Sequence, residues 1–164
     1  MHWGSNGPYS SVTIQGMLMD YIFSMFTESE IADISSSFEL MEPYSFEVAR
    51  VFYKTLFELD TNLRSLFHGD MRAQGQKLID MLSFIVVNLK DPDTLLPAVR
   101  ELGIRHKGYH VEASHYETVG QALVLAMGKV LGDDFSDSAG EAWTKAYRYL
   151  AEIMIEASDY STSA

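Results

Sequence analysis

The chain contains no cysteine. That removes disulfide staples and thiolate chemistry together. Basic residues are also scarce: 12 Lys and Arg stand against 23 Asp and Glu, leaving a formal charge of −11. Phosphate backbones and anionic lipid need a basic surface, so neither nucleic acid nor membrane is expected as a partner. No apolar run approaches the length of a membrane span. The first residues lack the basic start and small-residue cleavage site of a secretory leader, and with the missing cysteines this favours the cytoplasm. Nothing alternates polar and apolar residues for long, so strands have no signal here.

What is present describes helices. Apolar residues make up 47% and charged residues 21%, which suits a globular chain and not a disordered one. At 164 residues there is room for one domain with a full core. Residues 1–11, rich in Gly, Ser and Asn, form a loose terminus. Ile14, Met17, Leu18, Tyr21, Ile22 and Met25 then recur at the spacing of one helix face. That face is expected to pack on the domain, on a second subunit or on a membrane surface, and its lack of Lys and Arg makes the last the weakest option.

Thr27-Glu-Ser-Glu30 spells a capping box, followed by the stripe Ile31, Ile34, Phe38 and Met41 and a stop at Glu42-Pro43. Phe46 to Phe57 predicts a second helix with Val48, Val51, Phe52, Leu56 and Phe57 inward and Lys54 outward. A short turn-like helix from Asp60 delivers Leu63, Leu66 and Phe67 before His68-Gly69-Asp70 breaks it. Met71 to Leu89 reads as one long helix with Leu78, Met81, Leu82, Ile85 and Val86 apolar. Past Asp91-Pro92-Asp93, a helix carries Leu95, Leu96, Val99 and Leu102. Val111–Leu131 and Phe135–Ala157, the latter with Trp143, Tyr147, Leu150, Ile153 and Met154, complete an all-α chain of about seven or eight helices.

Chemistry-bearing residues gather between Arg105 and Gly120, where His106, His110 and His115 fall within ten positions at the join of two helical patterns. A histidine at a helix end can cap carbonyls, titrate near neutrality or bind metal. Taken singly, its companions have ordinary fates: Tyr53 as a core tyrosine, Gln74 as a surface amide, Lys77 as a solvated cation. Gln74, however, lies 32 residues before His106 and is followed by Lys77 and Leu78. An all-α chain with these parts brings haem to mind, which needs one neutral imidazole, an apolar slot and selected donors on the open face.

The segments Phe52-Tyr-Lys-Thr-Leu-Phe57, Leu63-Arg-Ser-Leu-Phe67, Leu95-Leu-Pro-Ala-Val99, His115-Tyr-Glu-Thr-Val-Gly-Gln121 and Ala142-Trp-Thr-Lys-Ala-Tyr147 carry a resemblance. In order and spacing they resemble the globin family, specifically bacterial single-domain and flavohaemoglobin-like globins. The resemblance covers residues 27–158, leaving 1–26 as a flexible terminus plus an extra amphipathic helix and 159–164 as a tail. It implies the globin fold, a three-on-three helical sandwich with an extra N-terminal helix, and haem b as the cofactor. Carried over residue by residue, it implies His106 as the proximal iron ligand and Phe67 as the ring stacked on the haem. Tyr53 would place a hydroxyl over bound oxygen, Gln74 would take the distal position, and Leu78 would face the ligand pocket. Lys77 and Arg105 would serve the propionates. Leu102, Val111, Tyr116 and Val119 would line the proximal side. His110 could reach a propionate, and His115 reads as a helix-start residue.

Two departures from the family pattern stand out. The link from Phe67 to Gln74 is shorter than in the flavohaemoglobins, and Ser158 stands where their proximal glutamate would be. The resemblance implies reversible, tyrosine-stabilised dioxygen binding, with NO and CO as further ligands. It also leaves open nitric oxide dioxygenation with a separate reductase, against which the missing glutamate counts. A gas sensor or interaction module is the third alternative, in which the N-terminal helix signals to a partner or forms a homodimer.

Overall fold

The computed structural model describes residues 26–160; the amphipathic stretch Ile14 to Met25 lies outside them. Helix α1, Glu28–Met41, begins where the capping box puts it. The Thr27 hydroxyl accepts from the Glu30 N–H at 3.0 Å, and the Glu30 carboxylate accepts from the Thr27 N–H at 3.0 Å. A 3-10 turn, Glu42–Tyr44, leads into α2, Ser45–Leu59. Asp60 caps the 3-10 helix Thr61–Leu66, its carboxylate accepting from the Asn62 N–H at 3.0 Å. Asp70 does the same for α3, Met71–Val87, accepting from the Arg72 N–H at 2.9 Å. Pro92 opens α4, Pro92–Gly108, where its missing N–H is no loss. The chain closes with α5, Ala113–Leu131, a 3-10 turn Gly132–Asp134, and α6, Asp137–Tyr160.

Within residues 26–160 the expected helices are present, with shifted ends. Among the described residues there are six α-helices and three 3-10 segments, the expected helix after Asp60 being one of the latter. The long helix stops at Val87 instead of Leu89, because the Asn88 amide donates to the Phe84 carbonyl at 2.8 Å and closes its last turn. The last helix starts at Asp137 instead of Phe135, because the Ser136 hydroxyl accepts from the Ala139 N–H at 3.1 Å and caps it there. No helix among the described residues is long and apolar enough to cross a membrane.

Packing sets α2 against α5 and α4 against α6 most extensively, with α6 also meeting α1 and α5 and with α3 on α2, in keeping with the three-on-three sandwich that the resemblance implied. The main core joins Ile34, Phe38 and Met41 of α1 with Val48, Phe52 and Leu56 of α2, Leu123 and Met127 of α5, and Trp143 of α6. Trp143 brings a polar edge into this apolar volume, and the sequence provides its partner. Its indole N–H donates to the buried Ser37 hydroxyl at 2.8 Å, which in turn donates to the Asp33 carbonyl at 2.6 Å.

Helix α4 is pressed onto α6 by a missing side chain. A Cβ at Gly103 would lie 2.4 Å from the Met154 carbonyl oxygen, a backbone atom that cannot turn aside. We predict that Gly103→Ala destabilises the fold by about 1–3 kcal/mol, since the two helix backbones must separate. Gly108→Ala, at a position with nothing within 4 Å of the added methyl, should change stability by less than about 0.5 kcal/mol. Urea unfolding of both variants checks the pair.

Candidate functional site

The last turn of α4 carries Arg105, His106 and Lys107 at the negative end of the helix dipole. His106 Nδ1 lies 2.8 Å from the Leu102 carbonyl oxygen. A carbonyl only accepts, so Nδ1 holds the ring hydrogen and Nε2 keeps a bare lone pair. Burial is the main cause that lowers the His106 pKa below the ordinary histidine value; the Leu102 carbonyl opposes this and the charge of Arg105 adds to it. The imidazole is therefore neutral near pH 7. Its plane stacks on Tyr116 of α5, with centroids 6.2 Å apart and 28° between planes. Two further bonds fix the surroundings: the Tyr147 hydroxyl donates to the Tyr116 carbonyl at 2.5 Å, and the Lys107 ammonium donates to the Ser158 carbonyl at 3.3 Å.

A second group of side chains forms around Tyr53 on α2. Its ring is enclosed by Phe52 at 4.9 Å, Phe67 at 5.3 Å and Phe57 at 6.1 Å between centroids. The residue is 9% exposed, and its hydroxyl has no hydrogen-bond partner among the described residues. Burial pushes the Tyr53 pKa up to about 12. It therefore remains a proton donor across the physiological range. On α3, Gln74, Leu78, Met81 and Ile85 recur at helix-face spacing and are each half-buried, whereas Gly75 and Leu82 beside them are buried.

The apolar residues divide into two clusters, and the division separates these groups. Tyr53, Phe67 and Leu78 belong with the main core. Leu102, Val111 and Tyr116 belong to the second, built on Leu95, Val99 and Met154, to which α3 adds Phe84 and Ile85. One imidazole with a free lone pair thus belongs to one cluster, and one unpartnered hydroxyl to the other.

The globin family model matches residues 50–154 of this chain. The chain belongs to the globin family. It is 28% identical over 125 residues to the flavohemoprotein of Oceanobacillus iheyensis, an alignment covering 74% of this chain and 31% of the relative. With the flavohemoprotein of Vibrio cholerae it shares 27% identity over 135 residues, 80% of this chain and 34% of that one. The chain therefore spans about a third of the length of the curated relatives it matches. Among solved structures, an engineered carbene transferase described as a putative nitric oxide dioxygenase from Rhodothermus marinus superimposes with a TM-score of 0.76 at 26% identity, over 84% of this chain and 96% of that one. A bacterial globin from Campylobacter jejuni gives a TM-score of 0.73 at 20% identity, over 84% and 100%, a likeness of fold.

Globin and flavohemoprotein relatives imply haem binding, and the donor set fits that group. Haem needs one neutral imidazole with an unprotonated nitrogen, and His106 is in that state by virtue of Leu102. It also needs apolar walls, and Phe67, Leu78, Leu102, Val111 and Val119 are half-buried apolar residues.

The remaining candidates stand as follows. Gln74 directs its amide to the His68 carbonyl at 3.3 Å, across the short link that precedes α3. Lys77 is exposed, and Arg105 turns to Glu101 at 3.8 Å on the surface. Val119 packs with the main core, away from the Val111–Tyr116 cluster. Ser158 donates its hydroxyl to the Ile155 carbonyl at 2.7 Å, one turn back on its own helix.

The histidine run separates. Among the described residues no three His, Asp or Glu side chains form a metal-ion group. His115 Nδ1 accepts from the Glu112 N–H at 2.9 Å, a helix-start role. His110 does not continue the face of His106, because α4 ends at Gly108. It adopts φ 64° in a turn where the Tyr109 and Val111 N–H groups both donate to the His106 carbonyl, at 3.0 and 3.2 Å. Sequence reasoning missed Phe57 as a neighbour of the Tyr53 ring and Tyr147 as the bond that holds Tyr116. A signal for the latter was Gly120, where a Cβ would meet the Tyr147 ring at 2.5 Å.

His110 pays for its left-handed backbone, since a side chain there costs roughly 1–2 kcal/mol while glycine loses about 0.5–1 kcal/mol of entropy on ordering. His110→Gly is expected to raise stability by about 0.5–1 kcal/mol, measured by urea unfolding of the apoprotein. A loss of stability would show that the imidazole contributes more than the strain.

Proposed function

We propose that this chain binds haem b through His106 and uses it to hold dioxygen reversibly. The observation that carries the reading is the His106–Leu102 hydrogen bond, which leaves the other ring nitrogen aprotic, neutral and free. The chain has no cysteine to form a thioether tether, which supports a non-covalent haem. Haem supplies the iron at which a diatomic gas binds. In this reading Phe67 packs on the macrocycle, with Leu102, Val111, Tyr116 and Val119 on the proximal side and Leu78 by the gas. Lys77 and Arg105 compensate the propionates.

The Tyr53 hydroxyl acts on the gas. It is protonated and has no partner among the described residues, so it is available to donate, and three phenylalanine rings fix its ring. It favours a ligand able to accept a hydrogen bond, dioxygen over carbon monoxide. Gln74 is within the same helix face as Leu78 and supports Tyr53 once its amide leaves the His68 carbonyl.

An absorbance spectrum of the purified chain tests the whole proposal. A Soret band is expected, retained with added hemin in the parent and lost in His106→Ala; its absence in the parent would end the reading. Tyr53→Phe should speed dioxygen release about ten- to a hundredfold, the value of a hydrogen bond of roughly 1.5–3 kcal/mol to a charged acceptor. The release rate of the parent should also stay constant from neutrality up to the usual tyrosine range near pH 10, because Tyr53 ionises only at about 12. Stopped-flow dioxygen release at two pH values measures both.

A second reading is nitric oxide dioxygenation. It draws on the flavohemoprotein relatives and on the Rhodothermus marinus protein described as a putative nitric oxide dioxygenase. Tyr116 against His106 supports it; the Ser158 hydroxyl, directed to a backbone carbonyl, offers no carboxylate to that pair. Turnover would draw electrons from a reductase that we place outside these 164 residues. Nitrate formed in many equivalents per haem with a supplied reductase distinguishes this activity from a single oxidation.

A further inference from the structure

Helices α5 and α6 leave a groove of about 1040 Å3 on the outer face of the molecule, separate from the His106 and Tyr53 groups. Its α6 wall is one helix face, Glu141, Thr144, Lys145, Arg148, Tyr149 and Glu152. Its α5 wall is Val124, Leu125, Gly128 and Lys129, with Phe135 closing one end. Leu125 is 47% exposed there, and two of the three glycines of the lining, Gly128 and Gly140, have no atom nearer than the Phe135 ring to a built Cβ. An apolar strip of Val124, Leu125, Phe135 and Tyr149 between charged rims is suited to an amphipathic helix laid along it.

The first described residue marks where such a helix would come from. The Phe26 ring packs edge-on against Tyr149 with centroids 6.1 Å apart, and the Lys145 ammonium lies 5.2 Å from its centroid. Tyr149 and Lys145 both line the groove. Lys145 also pairs with Glu30 at 3.0 Å, so the chain on either side of Thr27 is fastened to the groove's α6 wall. The residues immediately before Phe26 are the stripe Ile14, Met17, Leu18, Tyr21, Ile22 and Met25. As a helix, residues 14–25 would run about 18 Å at 1.5 Å per residue. The α6 lining runs from Asp137 to Glu152, about 24 Å at the same rise, long enough to take the whole stripe. Asp20 is the one charged residue between 14 and 25, and the groove's Lys129, Lys145 and Arg148 are balanced by Asp137, Glu141 and Glu152, so the apolar stripe and not charge favours docking.

We propose that residues 14–25 of this same chain dock as an amphipathic helix in the α5–α6 groove, their apolar face covering Leu125, Val124 and Phe135. Entry at Phe26 makes the docking intramolecular, because a tether of no length gives the segment a far higher effective concentration than a second molecule has. The segment carries no Lys or Arg, which argues against an anionic membrane as its resting place.

The chain's lack of cysteine makes the test clean. In the full chain, Leu125→Cys is combined in turn with Met17→Cys, Leu18→Cys, Tyr21→Cys and Ile22→Cys, which together cover a full helical turn. Under mild oxidation at least one pair should close to an intramolecular disulfide, at least about tenfold faster than the same partner combined with Val87→Cys, a 77% exposed site outside the groove. Equal rates at both sites, or no closure, overturn the proposal. Disulfide-linked dimers overturn it in favour of a second copy as the occupant. As an independent readout, Leu125→Arg should make chymotrypsin cleavage at Tyr21 and Phe23 about tenfold faster without unfolding the rest; cleavage as fast in the parent also overturns it.

Discussion

The hydrogen bond from His106 Nδ1 to the Leu102 carbonyl decides what the rest of the site can be. Within a helix that carbonyl already serves the backbone one turn later, and its second lone pair is what the imidazole uses. The consequence is chemical: one nitrogen is committed, the other is bare, and burial keeps the ring neutral. For the bare nitrogen to be useful, α4 must also be at the right height. That height is set by the close approach of Gly103 to Met154, one turn before His106, and by the Lys107–Ser158 bond just after it. The His106 imidazole is thus positioned by helix packing.

Tyr53 illustrates the opposite economy. A buried hydroxyl without a partner costs roughly 1–3 kcal/mol, and tyrosines placed in a core normally find one. Here three phenylalanine rings pack on the Tyr53 ring, while its hydroxyl reaches solvent, since every buried side-chain polar atom among the described residues has a partner. The same core satisfies the Trp143 N–H with Ser37 and the Lys129 ammonium with Thr55 at 3.2 Å. An unpartnered donor at the edge of an otherwise satisfied interior is open to a ligand that accepts from it, and this links the packing of α2 to the gas-binding reading.

Much of this was legible beforehand. The Thr27–Glu30 capping box, the start at Asp60 and the apolar stripes all follow from short-range rules, because caps and helix faces depend on residues three or four apart. The family resemblance supplied the identities of His106, Tyr53, Phe67 and Gln74. Helix ends were less legible. Asn88 and Ser136 each moved one by two residues through a side-chain bond that competes with continuation. Nor could spacing show that His110 would turn into a left-handed conformation, since that depends on how the chain must redirect from α4 to α5.

The sequence by itself determined the all-α class, the apolar faces of the described helices and the absence of thiol chemistry. These are properties of composition and of local periodicity, and they need no knowledge of what packs on what; His106 headed the candidate ligands only through the family resemblance. The tertiary structure alone decided the burial that keeps that histidine neutral, the phenylalanine surroundings of the Tyr53 ring, and the turn that takes His110 off the face of His106. Burial depends on elements distant in sequence, even where the hydrogen-bond partner, as with Leu102, is local. Desolvation and hydrogen-bond satisfaction arise only when α2, α4, α5 and α6 close around the same volume.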